Sequence, residues 1–393
     1  MNVLRGFTFA VYGAMAVLFT FLPLHFKEIG LSKIEIGLVM AGGPLISVIG
    51  NPFWGYWSDR LQHIRLVLLL MLAGNFAAAL LVFRADGMLG VAFAMLLFFF
   101  FQSSLFSQSN SLILNAIEGT AHRFGSFRSW GSLGWAVMAA AAGPVLASLG
   151  IGKLGIVYGV MLLAAIAVAL WLPRGGAKGA KGGFSFRDYG RLFGDRTLLA
   201  FLGLGVLISV PNSVNSTFVS LYMAELGGSE TLIGWSVFLS TALEVPAFLL
   251  YDKWFGRKTS ALVGTLSVVS VLFAVRWLLM ATAGGAATVI WIQMTHCLTF
   301  GAYYYIGTQL TARLVPPQYR ASGQAAYALT WNGLSGIVAG LIGGWMFQSL
   351  GPGTAYTVGA AVSAAGAVGF WLLWRTMKRA ESPSRDGSMA ANP

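Results

Sequence analysis

Twelve stretches of roughly 20 mostly apolar residues, each long enough to cross a bilayer, follow one another along this chain. They fall at about 6–26, 35–57, 65–83, 88–112, 127–149 and 153–172. A second set falls at about 198–223, 231–251, 259–282, 287–312, 323–348 and 354–374. Inside a bilayer every backbone N–H and C=O must be satisfied within the protein, so long continuous apolar runs become helices. The expected fold is therefore an all-α membrane protein of twelve transmembrane helices. Composition agrees: 57% of residues are hydrophobic and 10% are charged, where soluble domains carry about 25% charged residues. No cleavable signal is expected, because the N-terminus runs directly into an apolar helix.

Charge placement fixes the expected orientation. Of the 25 Lys and Arg residues, 20 lie at the termini or in every second connection, among them Arg5, Arg60, Arg65, Arg123, Arg174, Lys258, Arg313 and Arg375. Cytoplasmic loops carry the Lys/Arg excess. Both termini and the central loop are expected to be cytoplasmic, in a bacterial-type inner membrane. The net charge of +12 then reads as topology and as contact with anionic lipid headgroups rather than nucleic acid.

The chain divides near its middle. Residues 174–196 are basic and Gly-rich and read as a cytoplasmic linker. The expected organisation is a six-helix half over 1–173, the linker, a second six-helix half over 197–376, and a disordered cytoplasmic tail over 377–393. The halves repeat weakly. At an offset of 197, Phe21, Leu24, Glu28, Gly30, Ser32 and Gly37 meet Phe218, Leu221, Glu225, Gly227, Ser229 and Gly234.

Three motifs carry a family resemblance. Gly55-Tyr56-Trp57-Ser58-Asp59-Arg60, with Arg65, resembles the signature between helices two and three of the major facilitator superfamily. Gly125-Ser126-Phe127-Arg128-Ser129-Trp130-Gly131-Ser132-Leu133-Gly134-Trp135 opens helix five. Gln293-Met294-Thr295-His296-Cys297-Leu298-Thr299-Phe300-Gly301 lies on helix ten. Both resemble the phenylpropionate-permease-like branch, which is similar to the lactose and oligosaccharide proton symporters. Where the lactose permease pattern has acids on helices four and ten, this chain has Asn110 and Thr299. The resemblance implies two six-helix halves that rock about a central cavity lined by helices one, four, seven and ten. It also implies a gating role for Gly55, Asp59, Arg60 and Arg65.

Polar residues inside apolar spans mark where solute can run. Helix four carries Ser104, Gln108, Ser111 and Asn115 on one face, flanked by Asn110. Helix seven carries Ser209, Asn212, Ser213 and Ser216, with Asn215 beside them and Pro211 inside the helix. Candidate solute contacts are Tyr12, Gln108, Asn110, Asn212, Asn215, Gln293, His296 and Tyr303. Among thirteen acids only Glu244 lies well inside a span, about 12 Å from its end at 1.5 Å per residue. A charge so deep is costly and marks function. His296 is the only mid-span histidine, a side chain that ordinarily titrates near neutral pH. Glu244, Arg128 and His296 are therefore candidates for proton coupling, with Arg128 and Glu244 expected to pair at some point in the cycle. Arg276-Trp277 is expected to snorkel and anchor at the outer end of helix nine.

The expected function is secondary active transport of a small organic solute by alternating access, with proton symport. The alternative is a proton-antiport exporter; Gly143-Pro144 resembles the core of the exporter motif, with Ala147 and Ser148 in place of its glycine pair. No ATP loop, zinc-protease helix or nucleophile elbow occurs, so an enzyme is not expected. Cys297 alone supports neither a disulfide framework nor a cysteine zinc site. No cofactor or metal is expected, and a monomer is.

Overall fold

The computed structural model describes residues 1–122, 124–173, 195–255, 258–316 and 320–381. Of the linker expected over 174–196, residues 174–194 lie outside them, as does the tail beyond 381; Asp195 and Arg196 already cap and begin the next helix. Among the described residues eleven helical stretches have the length and apolarity to cross a membrane. The first half holds α1 (Asn2–Glu28), α2 (Lys33–Leu61), α3 (Ile64–Val82), α4 (Gly87–Ile117), α5 (Gly125–Leu149) and α6 (Ile151–Ala169). The second holds α7 (Arg196–Glu225), α8 (Glu230–Trp254), α9 (Thr259–Ala281), α11 (Gly323–Ser349) and α12 (Gly351–Glu381). Between α9 and α11 lies α10, which completes the twelve in three pieces: Ala286–Met294, a π-helical turn Cys297–Gly301, and Ala302–Leu314. The last helix runs to Glu381, past the expected start of the tail at 377. Its end is held by a hydrogen bond from Ser260 Oγ to Glu381 Oε2 at 2.7 Å.

Local chemistry explains why the repeat gives the same turn twice. Ser32 caps α2 by accepting from the Glu35 N–H, and Glu35 reaches back to the Ser32 N–H at 2.8 Å. This reciprocal box satisfies two orphan donors. Ser229, its counterpart, caps α8 by accepting from the Leu232 N–H. The second glycine of the repeat then does matching work in each half. A Cβ on Gly37 would strike the Gly340 carbonyl, and one on Gly234 would strike the Ala139 carbonyl. Only glycine lets α2 press on α11, and α8 on α5, backbone to backbone.

These contacts join the halves at one end, where α1 and α7 finish and α2 and α8 begin. There Glu225 Oε1 receives Lys33 Nζ at 2.7 Å and Lys27 Nζ at 3.6 Å. Lys33 Nζ also donates to the Phe347 carbonyl at 3.3 Å, and the Ile34 N–H donates to Gln348 Oε1 at 3.1 Å. We call this the distal end, because the start of α1 and the last turn of α12 lie at the other. Just below the distal contacts, between the halves, sits a cavity of about 390 Å³.

Candidate translocation site

The cavity has two unlike walls. From the first half come Phe19, Thr20, Met40 and Trp135, a largely apolar surface. From the second come Asn215, Ser216, Thr217 and Ser220 of α7, Ser236, Ser240 and Thr241 of α8, Arg276 of α9, and Gln293 and His296 of α10. An apolar box with a few convergent polar groups is the usual make-up of a small-molecule site, and about 300–1,000 Å³ is its usual size.

Behind the polar wall is a hydrogen-bonded network. Arg276 is 2% exposed. Its Nη1 donates to Thr299 Oγ1 at 2.9 Å and meets His296 Nδ1 at 3.1 Å; its Nη2 donates to Gln293 Oε1. The other ring nitrogen of His296, Nε2, lies 3.2 Å from Glu244 Oε1. One chain of contacts thus runs Gln293–Arg276–His296–Glu244 across α10, α9 and α8. A guanidinium in low dielectric is tolerated when most of its donors are paired in this way; Nη1 and Nη2 are, Nε is not, and the Trp277 ring adds a face 4.8 Å from its carbon. On α8, Ser236, Ser240 and Glu244 share one face at i, i+4 and i+8. Glu244 therefore sits one turn beyond the cavity wall, toward the terminal end.

The break in α10 makes this possible. Its π turn widens the helix at Cys297–Gly301 and leaves carbonyls that a regular ladder would use. Tyr251 of α8 donates its hydroxyl to the Cys297 carbonyl. Thr299 Oγ1 bonds back to the Thr295 carbonyl at 3.1 Å while accepting from Arg276. Phe300 stacks on the His296 ring at 4.7 Å, 6° from parallel.

The sequence candidates disperse into three groups. Asn215, Gln293 and His296 line the cavity; Asn215 Oδ1 also accepts from the Tyr356 hydroxyl at 3.0 Å. Tyr12, Gln108, Asn110, Asn212 and Tyr303 are not in that wall. Tyr303 is fully buried and stacks on Trp331 at 4.6 Å, inside the second half. Asn212 and Gln108 are buried. The Asn110 and Asn212 Oδ1 atoms have no hydrogen-bond partner. Tyr12 lies under Arg128, whose guanidinium carbon is 4.5 Å from the ring centre, and Phe106 packs on the same ring at 4.4 Å. Glu244 bonds His296 here, while Arg128 Nη1 donates to Ser132 Oγ at 3.2 Å.

Of the signature between α2 and α3, Gly55 faces open space. Arg60 Nη1 donates to the Tyr56 hydroxyl at 2.8 Å, and Arg65 Nη1 donates to the Leu172 carbonyl at 3.2 Å, beyond the end of α6. The Asp59 side chain lies outside the described residues. Arg276 departs from the sequence expectation. It does not snorkel; it points inward, because Gln293, His296 and Thr299 offer it more partners than the interface would. The signal was available: Gln293, His296 and Thr299 recur at i, i+3 and i+6 on α10 and form a polar stripe that needs a donor.

Two packed six-helix halves around a central polar cavity define a membrane transporter. The chain matches the MFS_1 like family over residues 1–358 and belongs to it. It is 26% identical over 352 residues to the maltose permease of Geobacillus stearothermophilus, covering 89% of this chain and 88% of that one. It is 24% identical over 369 residues to the probable 3-phenylpropionic acid transporter of Escherichia coli strain K12, covering 88% and 90%. In fold it is similar to the nucleoside transporter NupG, with a TM-score of 0.80 at 15% identity over 95% of this chain and 100% of that one. The protein is an integral membrane transporter of the major facilitator type that moves small solutes, and its relatives are transporters rather than enzymes.

Proposed function

We propose that the protein is a proton symporter that imports a small organic solute across the inner membrane, with both termini in the cytoplasm. The contact between Glu244 and His296 carries this reading. His296 touches both the solute cavity and the only acid well inside a span, so filling the cavity and moving a proton engage the same side chain. Arg276 donates to His296 Nδ1, so the neutral imidazole carries its own proton on Nε2 and presents it to Glu244, and the coupled proton is taken up by the Glu244 carboxylate. The Lys and Arg excess supports a cytoplasmic terminal end. On that orientation the distal seal faces outward, and the halves rock apart there to admit solute. Arg128, across the cavity on α5, is the partner Glu244 takes when the halves rearrange.

The test is transport in proteoliposomes. An outside-acid pH gradient should drive uptake of the solute well above its equilibrium distribution, and addition of a protonophore should abolish the accumulation. Accumulation driven by the opposite gradient would instead favour the exporter. Equilibration indifferent to pH would overturn proton coupling altogether.

A further inference from the structure

The two arginines at the heart of the protein are in opposite condition. Arg276 has committed both terminal nitrogens to Thr299, His296 and Gln293, with only its buried Nε unpartnered. Arg128 has one hydrogen bond, to the neutral Ser132 hydroxyl, and one aromatic face, Tyr12; among the described residues it meets no carboxylate. Its Nη2 and Nε therefore keep donors in the planar fork that matches a carboxylate. The position is built rather than incidental. A Cβ on Gly131 would crowd both the Tyr12 ring and Arg128 Nη1, so this glycine lets ring and guanidinium lie flat against α5. Arg128 is only partly buried, and its charge reaches Glu244 across the interface. Arg128, Ser132 and Trp135 follow at i, i+4 and i+7, so the guanidinium lies on the face of α5 that lines the cavity at Trp135. The rise between the two is about 10 Å at 1.5 Å per residue.

The charge balance points the same way. Two guanidinium groups approach the path, Arg128 and Arg276, against one carboxylate, Glu244. A proton arriving on Glu244 leaves the site more positive still. A neutral solute leaves that charge uncompensated in low dielectric, whereas a monoanion offsets it. We infer that the transported solute is a monocarboxylate, its carboxylate held by the Arg128 fork and its apolar body laid along Trp135, Phe19 and Met40. This deepens the proton-symport reading and rests on it.

Thermal stabilisation of the purified full-length protein in detergent tests the assignment, with paired probes: benzoate and 3-phenylpropanoate, their uncharged primary amides, and maltose. At least one carboxylate should stabilise the protein while its amide does not. Arg128→Gln should weaken that response tenfold or more, and Arg128→Lys less, because a lone ammonium keeps the charge and loses the fork. The wild-type comparison of acid against amide stands even where a variant fails to fold. Equal binding of acid and amide, an unaltered response in folded Arg128→Gln, or binding of maltose with no carboxylate response would each overturn the inference. If maltose binds and its uptake acidifies the vesicle lumen, proton symport stands and only the carboxylate assignment falls.

Discussion

The two halves share a turn pattern, with matching serine caps and glycine contacts, yet place their buried polar groups differently. In the second half the buried polar groups converge on the cavity: Arg276, Gln293, His296 and Glu244 are tied in one chain. In the first half the buried polar link is Tyr158 to Asn75, with Asn75 Nδ2 also reaching the Phe98 carbonyl at 3.5 Å. That link joins α3, α4 and α6 and is away from the cavity wall, which on this side is mostly Phe19, Met40 and Trp135. The comparison teaches that equal burial can serve unequal ends. One half holds a titratable network beside the cavity, while the other holds a neutral structural bond and, facing the interface, the lightly engaged cation Arg128.

Three substitutions sharpen the contrast. Arg276→Leu should have the largest effect on stability. It leaves Gln293 and Thr299 short of a donor and removes one of the two guanidinium groups whose charge acts on Glu244, and breaking a buried charged network costs about 3–5 kcal/mol. A large fall in the detergent melting temperature is expected, and an unchanged one would show that the network is not structural. Asn75→Ala should cost about 1–3 kcal/mol by stranding the Tyr158 hydroxyl, with transport per folded molecule unaltered. A transport defect in the folded variant would move the functional boundary into the first half. Arg128→Gln should cost least, about 0.5–1 kcal/mol for its partly exposed cation–π contact, while impairing transport. A stability loss as large as that of Arg276→Leu would erase the distinction between the arginines.

Much of the fold was legible because hydropathy and charge placement act one span at a time. The Ser32 and Ser229 caps and the Gly37 and Gly234 contacts sit where the repeat aligned them. What escaped was whatever depends on a neighbour in space. At α9 residue 276 of a helix ending at Ala281, snorkelling and inward pairing have the same local signature; only the stripe on α10 distinguishes them. Likewise Tyr303 and Asn215 both read as polar-bearing residues on cavity helices. The aromatic column of Trp331 and Phe370 draws Tyr303 into the second half, while Asn215 stays on the cavity. The π turn in α10 was hidden too, since its composition matches that of an ordinary apolar helix with polar inserts.

The central claim is that Glu244 and His296 couple proton movement to solute movement. It is tested most directly by comparing Glu244→Gln with the wild type in proteoliposomes, in two modes on the same preparation. Glutamine keeps a hydrogen-bonding side chain of the same length and cannot carry the proton. Gradient-driven accumulation should fall at least tenfold while solute exchange at equal pH persists. Accumulation at the wild-type level in Glu244→Gln would contradict the account.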